Sequence, residues 1–103
     1  MSTPEAAAAV AWATSALTAL AILATLIAAL RIVRGPRHAD RVVALDIFLA
    51  AAVALCVAAS LNTGRTVFLD VAIGLALVGF VATIGWARLI ERSAPSDAAE
   101  PKR

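Results

Sequence analysis

Three long apolar runs, separated by short polar segments, dominate the pattern along the chain. They cover residues 6–30, 42–61 and 67–87; the first contains no charged side chain, and each of the others contains one aspartate. About 20 helical residues, rising about 1.5 Å each, cross the ~30 Å hydrocarbon core of a bilayer. The length of the runs and their lack of strict alternation predict membrane helices rather than barrel strands, at about 6–30, 41–61 and 67–90.

Turn signals lie between the predicted helices. Gly35 and Pro36 are expected to end the first helix, because proline cannot continue a helix and restricts the residue before it. Asp40 is expected to cap the N-terminus of the second helix through its side chain. Asn62, Thr63 and Gly64 are expected to end the second helix, and Thr66 to cap the third. The last residues, about 93–103, combine two prolines, small residues and mixed charge, which is typical of a disordered tail.

The composition agrees with a membrane protein of one domain. The chain has 103 residues, 62% of them hydrophobic, and a mean hydropathy of +0.91. A soluble fold of this size could not bury so much apolar surface, because small folds are mostly surface. The first run is longer than the apolar core of a signal peptide and no basic residue precedes it, so it is expected to be a retained helix. The predicted fold is therefore an all-α membrane protein with three transmembrane helices.

The basic residues are distributed unevenly between the ends of these helices. Eight of the nine Lys and Arg residues lie in the first connection with the start of the second helix, or in the tail. These two groups share one side of the membrane in a chain with three spans, and an excess of Lys and Arg marks the cytoplasmic side. We therefore expect the N-terminus outside and the C-terminus in the cytoplasm. The residues are Arg31, Arg34, Arg37 and Arg41 in the first group, Arg88, Arg92, Lys102 and Arg103 in the tail, and Arg65 in the second connection.

Small residues form a stripe along the first helix at alternating spacings of four and three. Small side chains allow close helix contact in lipid, and threonine hydroxyls can form hydrogen bonds across the contact. Most of this span is Ala, Ser or Thr, so the stripe by itself says little about the packing face. Its members are Ala7, Ala11, Thr14, Thr18, Ala21, Thr25 and Ala28.

Two aspartates enter the membrane from opposite sides. With Arg41 at the interface, Asp46 lies about 7–8 Å deep from the cytoplasmic side, and Asp70 lies about 6 Å deep from the outer side. Asp70 is a second candidate for ion or proton transport, but it is also explained by an interfacial position, beside Arg65 or at the helix start. Asp46 is not, because it lies deeper among apolar residues and Arg41 is about 140° away around the helix. We therefore expect Asp46 to meet a partner on another helix, a cation or a proton.

The rest of the sequence argues against an enzyme or a nucleic-acid-binding protein. It contains no Gly-rich phosphate loop, no HExxH motif and no Ser-His-Asp set, and its one His and one Cys cannot build the usual zinc site. Basic residues cluster at helix ends rather than with aromatic residues. No cofactor and no resident metal are expected, only a transient cation at Asp46. Neither aspartate is followed by a continuous polar path, so an ion route would need groups from neighbouring subunits.

The stretch from Gly35 to Asp46, GPRHADRVVALD, resembles the signature of the F subunit of Mrp-type multisubunit cation/proton antiporters. That signature is rich in arginine, then continues with Gly-Pro, a few variable residues and Asp-Arg-Val-x-Ala-Leu-Asp. The length of the chain, its three spans, the basic first connection and the polar tail also fit. The matching positions are Arg31, Arg34, Gly35, Pro36, Asp40, Arg41, Val42, Ala44, Leu45 and Asp46.

The resemblance implies a small multi-pass subunit of a large assembly in the bacterial inner membrane, which exchanges cytoplasmic Na⁺ for external protons. Its partners would be the other antiporter subunits, the lipid bilayer, and Na⁺ and H⁺ as transported ions. The acidic residue that the family uses in cation transport falls on Asp46. Gly35, Pro36, Asp40 and Arg41 fall on structural positions of the motif, and Asp70 lies outside it.

Two other kinds of protein are alternatives to an antiporter subunit. In a purely structural scaffold, Asp46 would pair with a Lys or Arg of a neighbouring subunit without touching an ion. A self-assembling rotor ring or pore fits less well, because each protomer of a rotor has two helices and a carboxylate near the middle of the membrane.

Overall fold

Three α-helices joined by short turns make up the structure, a computed structural model that describes residues 3–99, with side chains described for residues 3–93. All three helices are long and apolar enough to cross a membrane. The predicted all-α fold with three transmembrane helices is therefore confirmed, and residues 3–99 contain no strand. The helices are α1 (Pro4–Arg34), α2 (His38–Thr63) and α3 (Val67–Ala99).

Helix α1 extends beyond its apolar run at both ends. It begins at Pro4, and the Oγ1 atom of Thr3 accepts a hydrogen bond from the Ala6 N–H at 3.2 Å. At its other end the helix continues through Arg31 to Arg34, whose positive charges suit the C-terminal end of the macrodipole. Hydropathy thus marked the segment that fits the hydrocarbon core, whereas the helix itself also includes polar residues at both ends.

Helix α3 also continues beyond the predicted start of the disordered tail at residue 93. The helix includes residues 93–99, and residues 100–103 lie outside the part of the chain that the structure describes. Adding a residue to an existing helix requires no new nucleus, so polar and small residues can extend it beyond the apolar span.

The turn between α1 and α2 is shorter than expected, and the predicted capping role of Asp40 is wrong. Helix α2 begins at His38 after Arg37 in the N-cap position, and no side chain caps it. Only three residues separate the two helices, so Asp40 already lies in the first helical turn. There its carboxylate still lies near the positive end of the macrodipole. Gly35 ends α1, as predicted, with its N–H donating to the Arg31 carbonyl at 2.7 Å.

Gly64 ends α2, whereas Asn62 and Thr63, which were expected to end the helix with it, still belong to the helix. It adopts a left-handed conformation with φ 69° and ψ 13°, and its N–H donates to the Ser60 carbonyl at 2.8 Å. Glycine suits this conformation because a Cβ would approach the following carbonyl oxygen. Thr66 then precedes α3, and its carbonyl oxygen accepts from the N–H groups of Leu69 (2.9 Å) and Asp70 (3.3 Å). The start of α3 is therefore formed by backbone hydrogen bonds to Thr66 and does not require its side chain.

A seam of small residues joins α1 to α2. On each helix the buried members are spaced by seven residues, which is nearly two full turns, so they lie on one face. Small side chains allow the two antiparallel backbones to approach closely, which favours association in lipid through van der Waals contact. The members are Thr14, Ala21 and Ala28 of α1, and Ala44, Ala51 and Ala58 of α2.

The threonines of this face of α1 form hydrogen bonds within their own helix and not across to α2. The hydroxyl groups of Thr14, Thr18 and Thr25 each donate to the carbonyl four residues earlier, at 2.7 Å. The hydroxyl groups are thereby satisfied inside α1. Of the predicted stripe, Ala7 and Ala11 are exposed, so only its part from Thr14 to Ala28 belongs to the seam.

Helix α2 lies between the other two helices. It packs against α1 on one side and α3 on the other, and over the described part of the chain α1 and α3 do not touch. Among residues 67–93 of α3, whose side chains are described, Ala72 and Gly79 are buried, again seven residues apart. The outer faces of α1 and α3 carry large exposed apolar side chains such as Trp12 and Phe80, which suit contact with lipid or with other membrane helices.

Candidate ion site between helices α2 and α3

Asp46 lies on the side of α2 that faces α3. It is eight residues after His38, which places it about 12 Å along the helix axis from the start of α2. Asp46 lies farther from the helix start than expected, because α2 begins at His38 rather than at about residue 41. The stabilising effect of the macrodipole falls off within the first turn, so it contributes little at Asp46.

Thr83 of α3 is the hydrogen-bonding partner of Asp46. Its Oγ1 atom lies 3.2 Å from Oδ1 of Asp46, across the contact between the two helices. The same Oγ1 atom lies 2.9 Å from the carbonyl oxygen of Gly79, one turn earlier on α3. The three oxygen atoms, from a carboxylate, a hydroxyl group and a carbonyl group, therefore meet at one place on the α2–α3 contact.

Gly79 of α3 faces Leu49 of α2 beside this contact. Gly79 is buried, and a Cβ added to it would lie 3.5 Å from Cδ1 of Leu49, an ordinary van der Waals distance. Leu49 lies one turn after Asp46, and Thr83 lies one turn after Gly79. The contact of Leu49 with Gly79 and that of Asp46 with Thr83 are therefore neighbours, one turn apart on each helix.

Two grooves open on either side of the Asp46–Thr83 pair. The larger has a volume of about 480 Å³ and the smaller about 140 Å³, and Asp46, Leu49 and Thr83 line both. Asp46 itself is exposed in the single chain. The remaining lining of the larger groove is apolar and comes from Ala50, Val53, Leu75, Ala76, Gly79 and Phe80.

No cationic side chain neutralises Asp46 within the described residues. The one ion pair among residues 3–93 joins Arg31 to Asp40, with 3.8 Å between Nη2 and Oδ1. Arg41, the nearest arginine along α2, instead donates from Nε to the Gly35 carbonyl at 3.0 Å. An aspartate at membrane depth requires a counterion, a proton or water, and in this chain Thr83 supplies only a neutral hydroxyl group.

The four motif residues around the first turn form a separate cluster. Pro36 follows Gly35 at the helix end, Arg41 binds the Gly35 carbonyl, and Asp40 pairs with Arg31. These contacts join the end of α1 to the start of α2. The cluster therefore shapes the turn and lies apart from the Asp46 contact.

Asp70 belongs neither to the Asp46–Thr83 contact nor to the cluster at the first turn. It is exposed in the first turn of α3, and no ion pair joins it to Arg65 in the described part of the chain. Thirteen residues separate Asp70 from Thr83, which corresponds to about 20 Å along α3. The two aspartates therefore cannot share an ion within one chain.

Thr83 was not among the residues that the sequence predicted for the site. The available signal was its composition: between Val71 and Ala87 on α3, Thr83 is the single residue with a hydroxyl, amide or charged side chain. Threonine is common in membrane helices, where it usually donates to its own backbone, so this signal did not indicate a partner for Asp46.

The site offers oxygen atoms only. Among the described residues no group of three or more His, Cys, Asp or Glu side chains could hold a metal ion. Carboxylate, hydroxyl and carbonyl oxygens are instead the ligands of hard cations, and a carboxylate also accepts a proton. Three oxygen atoms are fewer than such a cation needs, so further ligands would come from water or from another subunit.

The residues of this site lie within the part of the chain that matches a known protein family. A family model described as multiple resistance and pH regulation protein F (MrpF / PhaF) matches residues 39–91, a range that includes Asp46 and Thr83 but not Gly35 and Pro36. No solved structure matches the chain.

Two bacterial proteins are similar over most of their lengths. One is the F subunit of a probable K⁺/H⁺ antiporter from Rhizobium meliloti (strain 1021), 31% identical over 84 residues, which are 82% of this chain and 91% of the relative. The other is the F subunit of a Na⁺/H⁺ antiporter from Bacillus subtilis (strain 168), 33% identical over 76 residues, which are 72% of this chain and 81% of the relative.

These matches, together with three helices able to span a membrane, confirm the predicted location as a multi-pass protein of a bacterial membrane. The resemblance stated from the stretch between Gly35 and Asp46 is confirmed as well. The chain belongs to the family of multiple resistance and pH regulation protein F (MrpF / PhaF).

Proposed function

We propose that Asp46 is part of the cation or proton route of a multisubunit monovalent cation/proton antiporter, of which this chain is a small membrane subunit. The names of the relatives support the antiporter and the presence of other subunits as partners. They make the chain part of a transporter rather than an enzyme. They divide between K⁺ and Na⁺, so the proposal extends the expected Na⁺ to monovalent cations as a class.

The exposure of Asp46 between two helices carries the proposal. Its carboxylate lines two grooves, and no cationic side chain of the described residues neutralises it. A carboxylate at this depth is costly to insert, by roughly 2.5–3.5 kcal/mol at a helix centre, unless an ion, a proton or a partner compensates it. A transported cation and a proton are both suitable partners.

The proposed orientation places Asp46 toward the cytoplasmic side. The eight-to-one distribution of Lys and Arg supports an outer N-terminus and a cytoplasmic C-terminus. With α2 beginning at this side, Asp46 lies about 12 Å along the helix from its start, at the mouth of a route rather than at the membrane centre. Neighbouring subunits would supply the groups that continue the route and would cover the open grooves.

The experiment introduces Asp46→Asn into the complete complex, expressed in cells that lack their own antiporter. Asparagine keeps the size of the side chain but can neither bind a proton nor neutralise a cation. We expect cation/proton exchange in everted vesicles to be abolished while the other subunits still co-purify. Asp40→Asn is the matched control, because it removes a carboxylate of the same helix that belongs to the turn, and it is expected to retain exchange.

A structural scaffold is the second candidate function. In that case Asp46 pairs with a Lys or Arg of a neighbouring subunit, and the lack of a cationic partner among the described residues of this chain favours it as well. Asp46→Asn would then reduce the co-purification of partners, and Asp46→Lys combined with an acidic residue in the neighbour would restore it. Normal exchange by an assembled Asp46→Asn complex would contradict the proposed role of Asp46 in transport.

We propose Asp70 as a second residue of the transport route, and groups of neighbouring subunits would have to connect it to Asp46. Its distance of about 20 Å from Thr83 along α3 excludes a direct transfer between the two aspartates within the chain. Its position in the first turn of α3 also supports a simple interfacial role. Asp70→Asn in the same vesicles separates the two roles, since an interfacial residue leaves exchange intact.

A further inference from the structure

We propose that Thr83 is a second residue of the Asp46 site, and that its hydroxyl group makes proton binding and cation binding at Asp46 mutually exclusive. This role of Thr83 rests on the proposed role of Asp46 in transport and adds a specific residue and a mechanism to it. Its basis is the arrangement of three oxygen atoms on α2 and α3, Oδ1 of Asp46, Oγ1 of Thr83 and the carbonyl oxygen of Gly79.

The hydroxyl group of Thr83 has one proton and two neighbouring acceptors. Oδ1 of Asp46 lies at 3.2 Å and the Gly79 carbonyl oxygen at 2.9 Å. A threonine hydroxyl donates one hydrogen bond and accepts two, so it cannot donate fully to both oxygens at once. Rotation about the C–O bond of the hydroxyl group moves the proton from one acceptor to the other.

The charge of Asp46 determines which of the two acceptors receives the hydrogen bond from the Thr83 hydroxyl group. When Asp46 is ionised and no cation is bound, donation to the carboxylate is the stronger hydrogen bond, because the acceptor is charged. When Asp46 is protonated, its own O–H can donate to Oγ1 of Thr83, and Thr83 then donates to the Gly79 carbonyl. The added proton comes from the transport route, and no covalent bond of Thr83 changes.

A bound cation requires the same arrangement as a bound proton. A cation held between the carboxylate and Oγ1 of Thr83 needs a lone pair of that hydroxyl oxygen, so the hydroxyl proton must point away, toward the Gly79 carbonyl. Na⁺ and K⁺ are hard cations that prefer such oxygen ligands. The proton on Asp46 and the cation therefore compete both for the carboxylate and for the same side of Thr83. Exclusive binding of the two ions is what exchange requires.

The exposed position of the pair agrees with this role. Both residues line both grooves, so an ion can approach the carboxylate and the hydroxyl group from either side of the α2–α3 contact. The threonines of α1 described above also donate to their own helix, but none of them has an acidic hydrogen-bonding partner.

The test uses the assembled complex with Thr83→Val, which keeps the branched shape of the side chain but removes the hydroxyl group. Exchange is measured in everted vesicles against Na⁺ and K⁺ concentration at several pH values. We expect the cation concentration for half-maximal exchange to rise roughly tenfold, because the bound cation loses Oγ1 of Thr83 as a ligand. The pH profile is expected to shift, because the ionised carboxylate loses a hydrogen bond. Thr83→Ser keeps the hydroxyl group and is expected to restore most of the loss.

Thr25→Val is the matched control. It also removes a half-buried hydroxyl group that donates to the carbonyl four residues earlier, but in α1, away from Asp46. It is expected to match the wild-type complex in half-saturation and in pH profile. If Thr83→Val reduces assembly, Thr83→Ala supplies the same measurement with a smaller side chain that favours the helix.

Infrared difference spectroscopy of the purified complex gives a readout that does not depend on transport. The carboxyl band of protonated Asp46, identified by its loss in Asp46→Asn, is expected to shift to higher frequency in Thr83→Val, because the carboxyl group loses its acceptor.

The outcomes separate the two proposals. An assembled Thr83→Val complex with wild-type half-saturation, pH profile and carboxyl band would overturn the role of Thr83 while an inactive Asp46→Asn complex upholds that of Asp46. Unchanged exchange by Asp46→Asn would overturn both.

Discussion

The Nε–H group of Arg41 donates to the carbonyl oxygen of Gly35 at 3.0 Å and so joins the start of α2 to the residue that ends α1. The carbonyl groups at a helix C-terminus have no partner within the helix, and Arg41 supplies a charged donor at this end of α1. The pair explains two motif residues of the turn in physical terms. Arginine provides the reach and the donor, and glycine lets the backbone approach closely.

Replacement of Gly35 by alanine is expected to destabilise this turn. The added Cβ would lie 2.7 Å from the Arg31 carbonyl oxygen and 3.1 Å from Cγ of Arg41, so the backbone and the arginine would have to move. We expect Gly35→Ala to reduce the free energy of unfolding by about 1–3 kcal/mol. The measurement is unfolding of the purified full chain by a denaturing detergent, followed by circular dichroism.

Gly85→Ala is the control for this experiment, because a Cβ at Gly85 meets no atom within 4 Å and the residue lies in a helix. It is expected to be neutral or slightly stabilising, since alanine favours a helix more than glycine does. Equal stability of Gly35→Ala and the wild-type chain would refute the steric account of the turn.

Gly64 is required for its backbone conformation rather than for space. Its φ of 69° is left-handed, and no atom lies within 4 Å of an added Cβ. We expect Gly64→Ala to cost about 1 kcal/mol, whereas Gly64→Asn costs less, because asparagine tolerates this conformation better. The same detergent titration compares them, and equal losses would show that the left-handed conformation does not determine the effect.

A large side chain in the seam between α1 and α2 is expected to destabilise the fold. Ala21 is 5% exposed and packs in the seam, while Ala19 of the same helix is exposed. We expect Ala21→Leu to destabilise the full chain by about 1–3 kcal/mol through overpacking, and Ala19→Leu to have little effect. The comparison uses detergent unfolding, and a larger loss for Ala19→Leu would place the helix contact on the opposite face of α1.

The proposed orientation can be measured by cysteine labelling. With Cys56→Ser as the background, one new cysteine is introduced at His38 in the first turn of α2, or at Asn62 near its end. A maleimide that does not cross membranes, added to intact cells, is expected to label Asn62→Cys and not His38→Cys. Permeabilised cells should give labelling at both positions. The opposite pattern in intact cells would invert the proposed topology.

The amino-acid sequence by itself determined the number of membrane helices and the glycines that follow the first two. Apolar runs of sufficient length can only be helices in lipid, because every backbone polar group must be satisfied inside the segment. Gly35 and Pro36 ended α1, and Gly64 ended α2, since their backbone preferences are local properties. The sequence also singled out Asp46, because an acid inside an apolar run is visible without any neighbour.

Only the tertiary structure decided what Asp46 meets. Its partner Thr83 is 37 residues away on another helix, so their contact depends on the register between α2 and α3. Such a register arises from packing between helices and has no local signature in a span made mostly of Ala, Val, Leu and Gly. The choice of Thr14, Ala21 and Ala28 as the buried face of α1 has the same origin. Hydropathy determines which segments enter the membrane, and the fit of small side chains determines which faces meet there.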